Sequence, residues 1–183
     1  MDNNFNENFR QNSHWITGEV QDVLIDKDGN RHPLPADHNL VVNTCSNLIA
    51  ALIKGEESAG VRYWAIGGYL AGENTNGAST LFTSPASTDD KLKKEIYRQE
   101  ITKDNMTFVA PDNKPTNVIT NKLKITVIVP YTAANGTWYE FGLFGGSSAS
   151  DVENTGIMIN RKVHDPIVKS ANLQVERNII FTF

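Results

Sequence analysis

A single cysteine, Cys45, in 183 residues excludes an intrachain disulfide framework and any multi-thiolate zinc site. No apolar run approaches the roughly 20 residues that a bilayer-spanning helix needs, so no membrane insertion is expected. Cationic charge is also scarce. Seventeen Lys and Arg stand against 21 Asp and Glu, a net charge of −4. Non-specific nucleic-acid binding rests on clustered cations that neutralise phosphates, so no nucleic-acid partner is expected. The opening residues, MDNNFNENFRQNSHW, have neither a basic start nor an apolar stretch and do not read as a secretory signal. No sequence motif asks for a cofactor, and none is expected.

What is present in quantity is Asn, Thr and Ser, which favour turns and strand surfaces over helix interiors. The length suits one domain with a core of its own. Residues 1–18 read as an extended N-terminal docking arm and 19–183 as a single β-rich domain. Phe5, Phe9 and Trp15 punctuate the polar arm. Isolated aromatics of this kind either anchor a chain on a partner surface or fold back onto their own domain.

The body of the chain reads mostly as β-structure. Val20, Val23, Leu24 and Ile25 lead to Asp28-Gly29, a dipeptide suited to a tight hairpin turn, and Pro33 and Pro35 then stop strand pairing. The one clear helix is expected over about 44–54, capped by Asn43, Thr44 or Ser46. Leu48, Ile49, Leu52 and Ile53 are at helical spacing, and Gly55 stands where a left-handed cap falls. Val61–Ile66 predicts a buried strand, 67–88 an exposed excursion, and 89–101 fits helix or strand equally. Leu123, Ile125, Val127 and Val129 alternate strictly, with Asn135-Gly136 before the returning run Trp138–Phe144, which predicts a hairpin. Gly156–Asn160 and Leu173–Phe183 are further strands. In the last, Leu173, Val175, Ile179, Phe181 and Phe183 share one parity that Arg177 interrupts. Together these predict a mostly β, antiparallel sandwich-like domain with one packed helix.

Residues that could carry chemistry form no recognisable site. Gly67, Gly68 and Gly72 lack both the dinucleotide-loop spacing and the Lys-Ser/Thr of a phosphate loop. Asp26, Asp28, Asn30 and Asp37 match some positions of a calcium loop, but Arg31 occupies its glycine position, so a hairpin turn is the better reading. His14, His32, His38 and His164 are unclustered, and Cys45 belongs to no hydrolase motif. Glu140 interrupts an aromatic strand. It is either a catalytic carboxylate or, preferably, a framework group paired with Arg98 or Arg161, because a buried carboxylate needs a partner.

The order of several segments resembles a known family. Asn47-Leu48-Ile49-Ala50-Ala51-Leu52, Tyr63-Trp64-Ala65-Ile66-Gly67, a polar loop, Leu92-x-x-Glu95-x-x-Arg98, Glu140-Phe141-Gly142-Leu143-Phe144, Gly156-Ile157-Met158 and Ile167-x-Lys169 are similar to the N-terminal module of tailed-bacteriophage tail-collar and tail-fibre proteins. The resemblance covers about residues 40–183. It implies a non-enzymatic virion structural role, in which Glu95, Arg98 and Glu140 are internal framework residues; with Arg161, offered above as a partner of Glu140, they are the expected framework ion pairs. The expected partners are other virion proteins of the tail, neck or baseplate, with assembly as a homo-oligomer. The expected location is the virion, after synthesis in the host cytoplasm. Such fibres run on into a repetitive shaft that this sequence lacks, so an adaptor, collar, baseplate or fibre-attachment subunit is expected. Head decoration or a head–tail neck role is the alternative. An alternative of another class is a host-surface glycan-binding module stacking sugars on Trp64, Tyr69, Trp138 and Tyr139.

Overall fold

The computed structural model describes residues 16–183. Phe5, Phe9, Trp15 and all but the last three residues of the arm therefore lie outside the described residues. Eleven strands form one antiparallel sheet that stays open and folds over on itself as a sandwich. In chain order they are β1 (Thr17–Asp26), β2 (Arg31–Pro33), β3 (Asp37–Val41), β4 (Val61–Leu70), β5 (Glu95–Glu100), β6 (Met106–Val109), β7 (Pro115–Thr116), β8 (Lys122–Val129), β9 (Gly136–Gly145), β10 (Ile157–Lys169) and β11 (Leu173–Thr182). Helix α1 spans Asn43–Lys54, and a short helix α2 spans Ala78–Leu81.

The sheet runs β5-β4-β9-β10-β3-β1-β11-β8-β6-β7, with β2 added on β1. Strand β3 is the corner. Its first half, Asp37–Asn39, pairs with β1, and Leu40 and Val41 pair with β10, so five residues serve both layers. One layer contributes Val20, Ile125, Val127, Val129, Val175, Ile179 and Phe181 to the core. The other answers with Trp64, Ile66, Trp138, Phe141, Leu143 and Ile159. Period-two alternation along each strand delivers these side chains to the same gap.

Several local expectations need correction. The run Leu123–Val129 and the run Trp138–Phe144 are strands, but they are not a hairpin. Strand β8 pairs with β11 and β6, and β9 pairs with β4 and β10. The Asn135-Gly136 connection thus crosses between layers. Helix α1 has Val42 at its N-cap position and no side-chain cap. The hydroxyl of Thr44 instead donates to the Met158 carbonyl at 2.6 Å, tying the helix to β10. At its other end Gly55, at φ 78°, supplies the left-handed residue. Gly67 and Gly68 belong to β4 rather than to an exposed excursion. Glycine is needed at Gly67 because an added Cβ would collide with the side chain of Glu140. The ambiguous segment 89–101 resolves as strand β5 after an irregular stretch.

Candidate functional site

Buried charge is the feature to explain, since an unpaired ion inside a protein is costly. On the outer face of the β4–β9–β10 layer, Glu140 and Arg161 are both fully buried. Arg161 donates from Nε to Glu140 Oε2 at 2.7 Å, and its Nη2 lies 2.6 Å from the same oxygen. Glu140 Oε1 accepts the backbone N–H groups of Lys93 (2.6 Å) and Lys94 (3.2 Å). Arg161 Nη1 reaches Asp89 at 2.9 Å. One carboxylate and one guanidinium therefore pin the long connection between β4 and β5 across the sheet. Burial raises the Asp89 carboxyl, yet the Ala86 N–H and Arg161 outweigh it and leave the group below its usual range.

A second knot holds the β9–β10 loop. Arg98 makes a two-point contact with Glu95 at 2.7 and 2.9 Å and donates to the Ser150 and Thr155 carbonyls. Glu95 in turn accepts the Asn154 N–H at 2.8 Å. Three residues of separation would put Glu95 and Arg98 on opposite faces of a regular strand. The register shift between β4 and β5 at Ile66/Gly67 brings them together.

Sequence reasoning missed the third ionic group. Asp22 and Arg177 face each other across β1 and β11, and Arg177 is fully buried. Arg177 donates from Nε and Nη2 to the two Asp22 oxygens at 2.6 and 2.5 Å. Its guanidinium carbon lies 4.2 Å from the centre of the Phe141 ring and 5.5 Å from that of Trp64. The readable signal was the inward parity of Arg177, taken as an interruption, together with the same parity of Asp22 on β1.

His164 borders this pair in a cleft of about 420 Å³ also lined by Leu34, Lys162 and Pro166. Its Nε2 is 3.4 Å from Arg177 Nη2, and its Nδ1 is 2.7 Å from the Asp165 carbonyl. Arginine only donates, so the network assigns the proton to Nδ1 and leaves Nε2 as acceptor. Burial, then the charge of Arg177, lower its pKa from 6.5 to about 4. Both Asp22 oxygens are held by Arg177, so no carboxylate orients this histidine as a base.

A pH prediction follows from His164. The unfolded chain binds this proton below about 6.5 and the folded chain only below about 4, so U holds more protons between the two. Stability is full above pH 6.5 and falls as the pH drops toward 4. The shift corresponds to at most about 3 kcal/mol. Denaturation midpoints of the wild type and His164→Phe, measured from pH 7 to 4, should diverge, the variant losing less. Parallel curves would refute this assignment.

The other candidates are accounted for locally. Asp26 accepts from the Asp28 and Asn30 backbones and from the Asn30 side chain at 2.9–3.0 Å, which is a hairpin turn. Among the described residues no group of three or more His, Cys, Asp or Glu could hold a metal. Burial pushes the Cys45 thiol up to about 11, which suits an inert thiol. Trp64 and Trp138 are fully buried and cannot stack a sugar. Tyr69 packs edge-on against Phe82 and Tyr139, and Phe82 stacks on Tyr139 at 4.8 Å. Lys94 Nζ lies 4.1 Å from the Tyr69 ring centre.

One end of the sandwich is open. Between α1 and the ends of β4, β5, β8 and β11 lies an apolar groove of about 590 Å³, with Cys45, Leu48, Leu52, Met106, Leu123 and Phe181 on its walls. Ile16, the first described residue, lines it too. Phe183, also on its wall, is 55% exposed, and Ile53 on α1 is 82% exposed.

Comparison with protein-family models, with curated proteins and with solved structures gives no match to this chain. The functional reading therefore rests on the residues themselves. Of the sequence-predicted framework groups, Glu140 is joined to Arg161 and Glu95 to Arg98, and the two pairs are separate knots on one face. No helix among the described residues is long and apolar enough to cross a membrane.

Proposed function

We propose that the protein is a non-enzymatic structural subunit of a tailed-phage virion, an adaptor, collar, baseplate or fibre-attachment component that docks to neighbouring virion proteins and assembles as a homo-oligomer. The observation that carries this reading is the apolar groove at the root of the N-terminal arm, a surface suited to docking and poor in polar groups for chemistry. Its support in the rest of the domain is the use of the buried carboxylates Glu95, Glu140 and Asp22, each committed to an arginine that braces a loop or a strand. The ordered likeness of residues 40–183 to tail-collar and tail-fibre modules supplies the virion context.

The test is incorporation. Phage carrying the chain without residues 1–15 should produce a folded domain that is missing from purified particles, read by mass spectrometry of virions and by circular dichroism of the purified chain. Normal incorporation of the shortened chain would remove the arm from the docking role. Saturable binding of the full chain on a glycan array would favour the host-glycan reading instead.

A further inference from the structure

The sheet is open, and its edges differ. At one edge β7 is two residues long and begins at Pro115. The three-residue β2, added on β1, ends at Pro33. Short strands and prolines are the usual devices that stop a sheet from adding further strands. The opposite edge is β5, six residues from Glu95 to Glu100 with no proline, glycine or lysine. Its inner side is paired with β4 along its length, and Ile101 continues the pairing by donating to the Arg62 carbonyl at 2.7 Å. Among the described residues, Ile96–Glu100 make no backbone hydrogen bond outside this ladder. Alternate residues of such an edge turn their N–H and C=O groups outward, ready to pair with another strand.

Charge selects the occupant. A second copy laid antiparallel on β5 by a two-fold axis meets the same strand in reverse, and the axis passes through one residue and its own mate. Centred on Ile96, the axis joins only three residues of each strand. Centred on Tyr97, it sets each charge opposite a neutral group, Ile96 against Arg98 and Glu95 against Gln99. Centred on Arg98, it opposes two like charges, which is destabilising. Centred on Gln99, it places Arg98 opposite the partner's Glu100 and Tyr97 opposite the partner's Ile101, each contact occurring twice. The two Gln99 amides then lie side by side. Glu100 is exposed, with a contact of 3.5 Å to Arg62, so its carboxylate stands at the edge.

We propose that β5 is the contact strand of a symmetric dimer, pairing antiparallel with the β5 of a second copy about a two-fold axis at Gln99 and joining two open sheets into one. This rests on the homo-oligomer part of the reading above and assigns it a surface and a register. The contact is isologous, so it closes at two copies and uses up the edge that would otherwise recruit further strands.

The register makes this measurable. Residues directly opposite in an antiparallel pair have Cα atoms about 4.5–5.5 Å apart, a separation that a disulfide spans. In the full chain, Cys45→Ser removes the single native thiol. On that background Gln99→Cys should form a disulfide-linked dimer under mild oxidation. It should do so at least about tenfold faster than Ile53→Cys, whose site on α1 is 82% exposed and meets another copy only by collision. Light scattering of the wild-type chain should give a mass that rises to twice the chain mass with concentration and goes no further. Gln99→Lys, which sets two like charges opposite each other, should stay monomeric with an unchanged circular dichroism spectrum. A wild-type monomer at every concentration would overturn the proposal. So would equal cross-linking at positions 99 and 53, or a dimer that survives Gln99→Lys, and either of these would move the contact to another surface while leaving the homo-oligomer in place. None of these readouts measures particle incorporation, so the virion reading stands or falls separately.

Discussion

Glu140→Ala is expected to destabilise the domain by about 3–5 kcal/mol, the range seen when one partner of a buried ion pair is removed. Arg161, which is fully buried, would keep only Asp89 and the Thr83 carbonyl, both on its Nη1. The part-buried Lys93 and Lys94 N–H groups would lose their acceptor, adding to the loss. The damage should concentrate in the β4–β5 connection, which Glu140 and Arg161 hold to the sheet. Urea denaturation gives the size of the loss, and hydrogen exchange should show residues 83–94 opening first. A loss below about 1 kcal/mol would refute the framework role of Glu140. A stable variant that lost a hydrolytic activity of the wild type would make Glu140 catalytic.

Arg177→Met should cost a similar amount, about 3–5 kcal/mol, for a different reason. Here the orphan would be the Asp22 carboxylate, whose two hydrogen bonds at 2.6 and 2.5 Å come from Arg177. It would be left between the layers of the sandwich with little water. The contact with Phe141 and Trp64 would be kept in part by the thioether, so the charge effect should dominate. The double variant Asp22→Leu/Arg177→Met should recover most of the loss, because replacing both members of a buried pair by apolar groups is often neutral or better. A double-mutant cycle on denaturation free energies reads the coupling. If the double variant is as unstable as the sum of the singles, the pair is not a coupled unit and the argument fails.

Much of the element-level fold was legible in the residues. Val20–Ile25, Val61–Ile66, Leu123–Val129 and Leu173–Phe181 were readable as strands because alternation or β-branched density is a local property, felt by each residue whatever its partner. Helix α1 was readable for the same reason, through the spacing of Leu48, Ile49, Leu52 and Ile53 and the stop at Gly55. Its expected side-chain cap did not form; the Thr44 hydroxyl has an acceptor on β10 instead, a residue more than a hundred positions away in the chain.

The site was legible only in fragments. That Glu140 needed a buried cation followed from its place in an aromatic strand, and Arg161 was one of two cations offered. That its other oxygen would hold the Lys93 and Lys94 backbone was not readable, since it depends on where an irregular loop settles. Trp64 and Trp138 looked like possible sugar platforms because an aromatic on a strand has two faces to choose from. Which face is inward for Trp138 was decided by a bulge. Glu140 pairs with Gly67 and Trp138 with Gly68, so Tyr139 is the extra residue and Trp138 joins Phe141 in the core. A one-residue slip of this kind exchanges the faces of everything beyond it.

By itself the sequence determined the class of the domain, its helix, most of its strands and the need of its interior charges for partners, because these follow from local periodicity and from the cost of burying an ion. Only the tertiary structure decided that β8 and β9 lie in different layers, that Asp22 is the partner of Arg177, and that one end of the sandwich opens as a groove beneath Ile16. Those features depend on which distant strands pair and at what register, and pairing energy is shared among many side chains, so no single residue announces it.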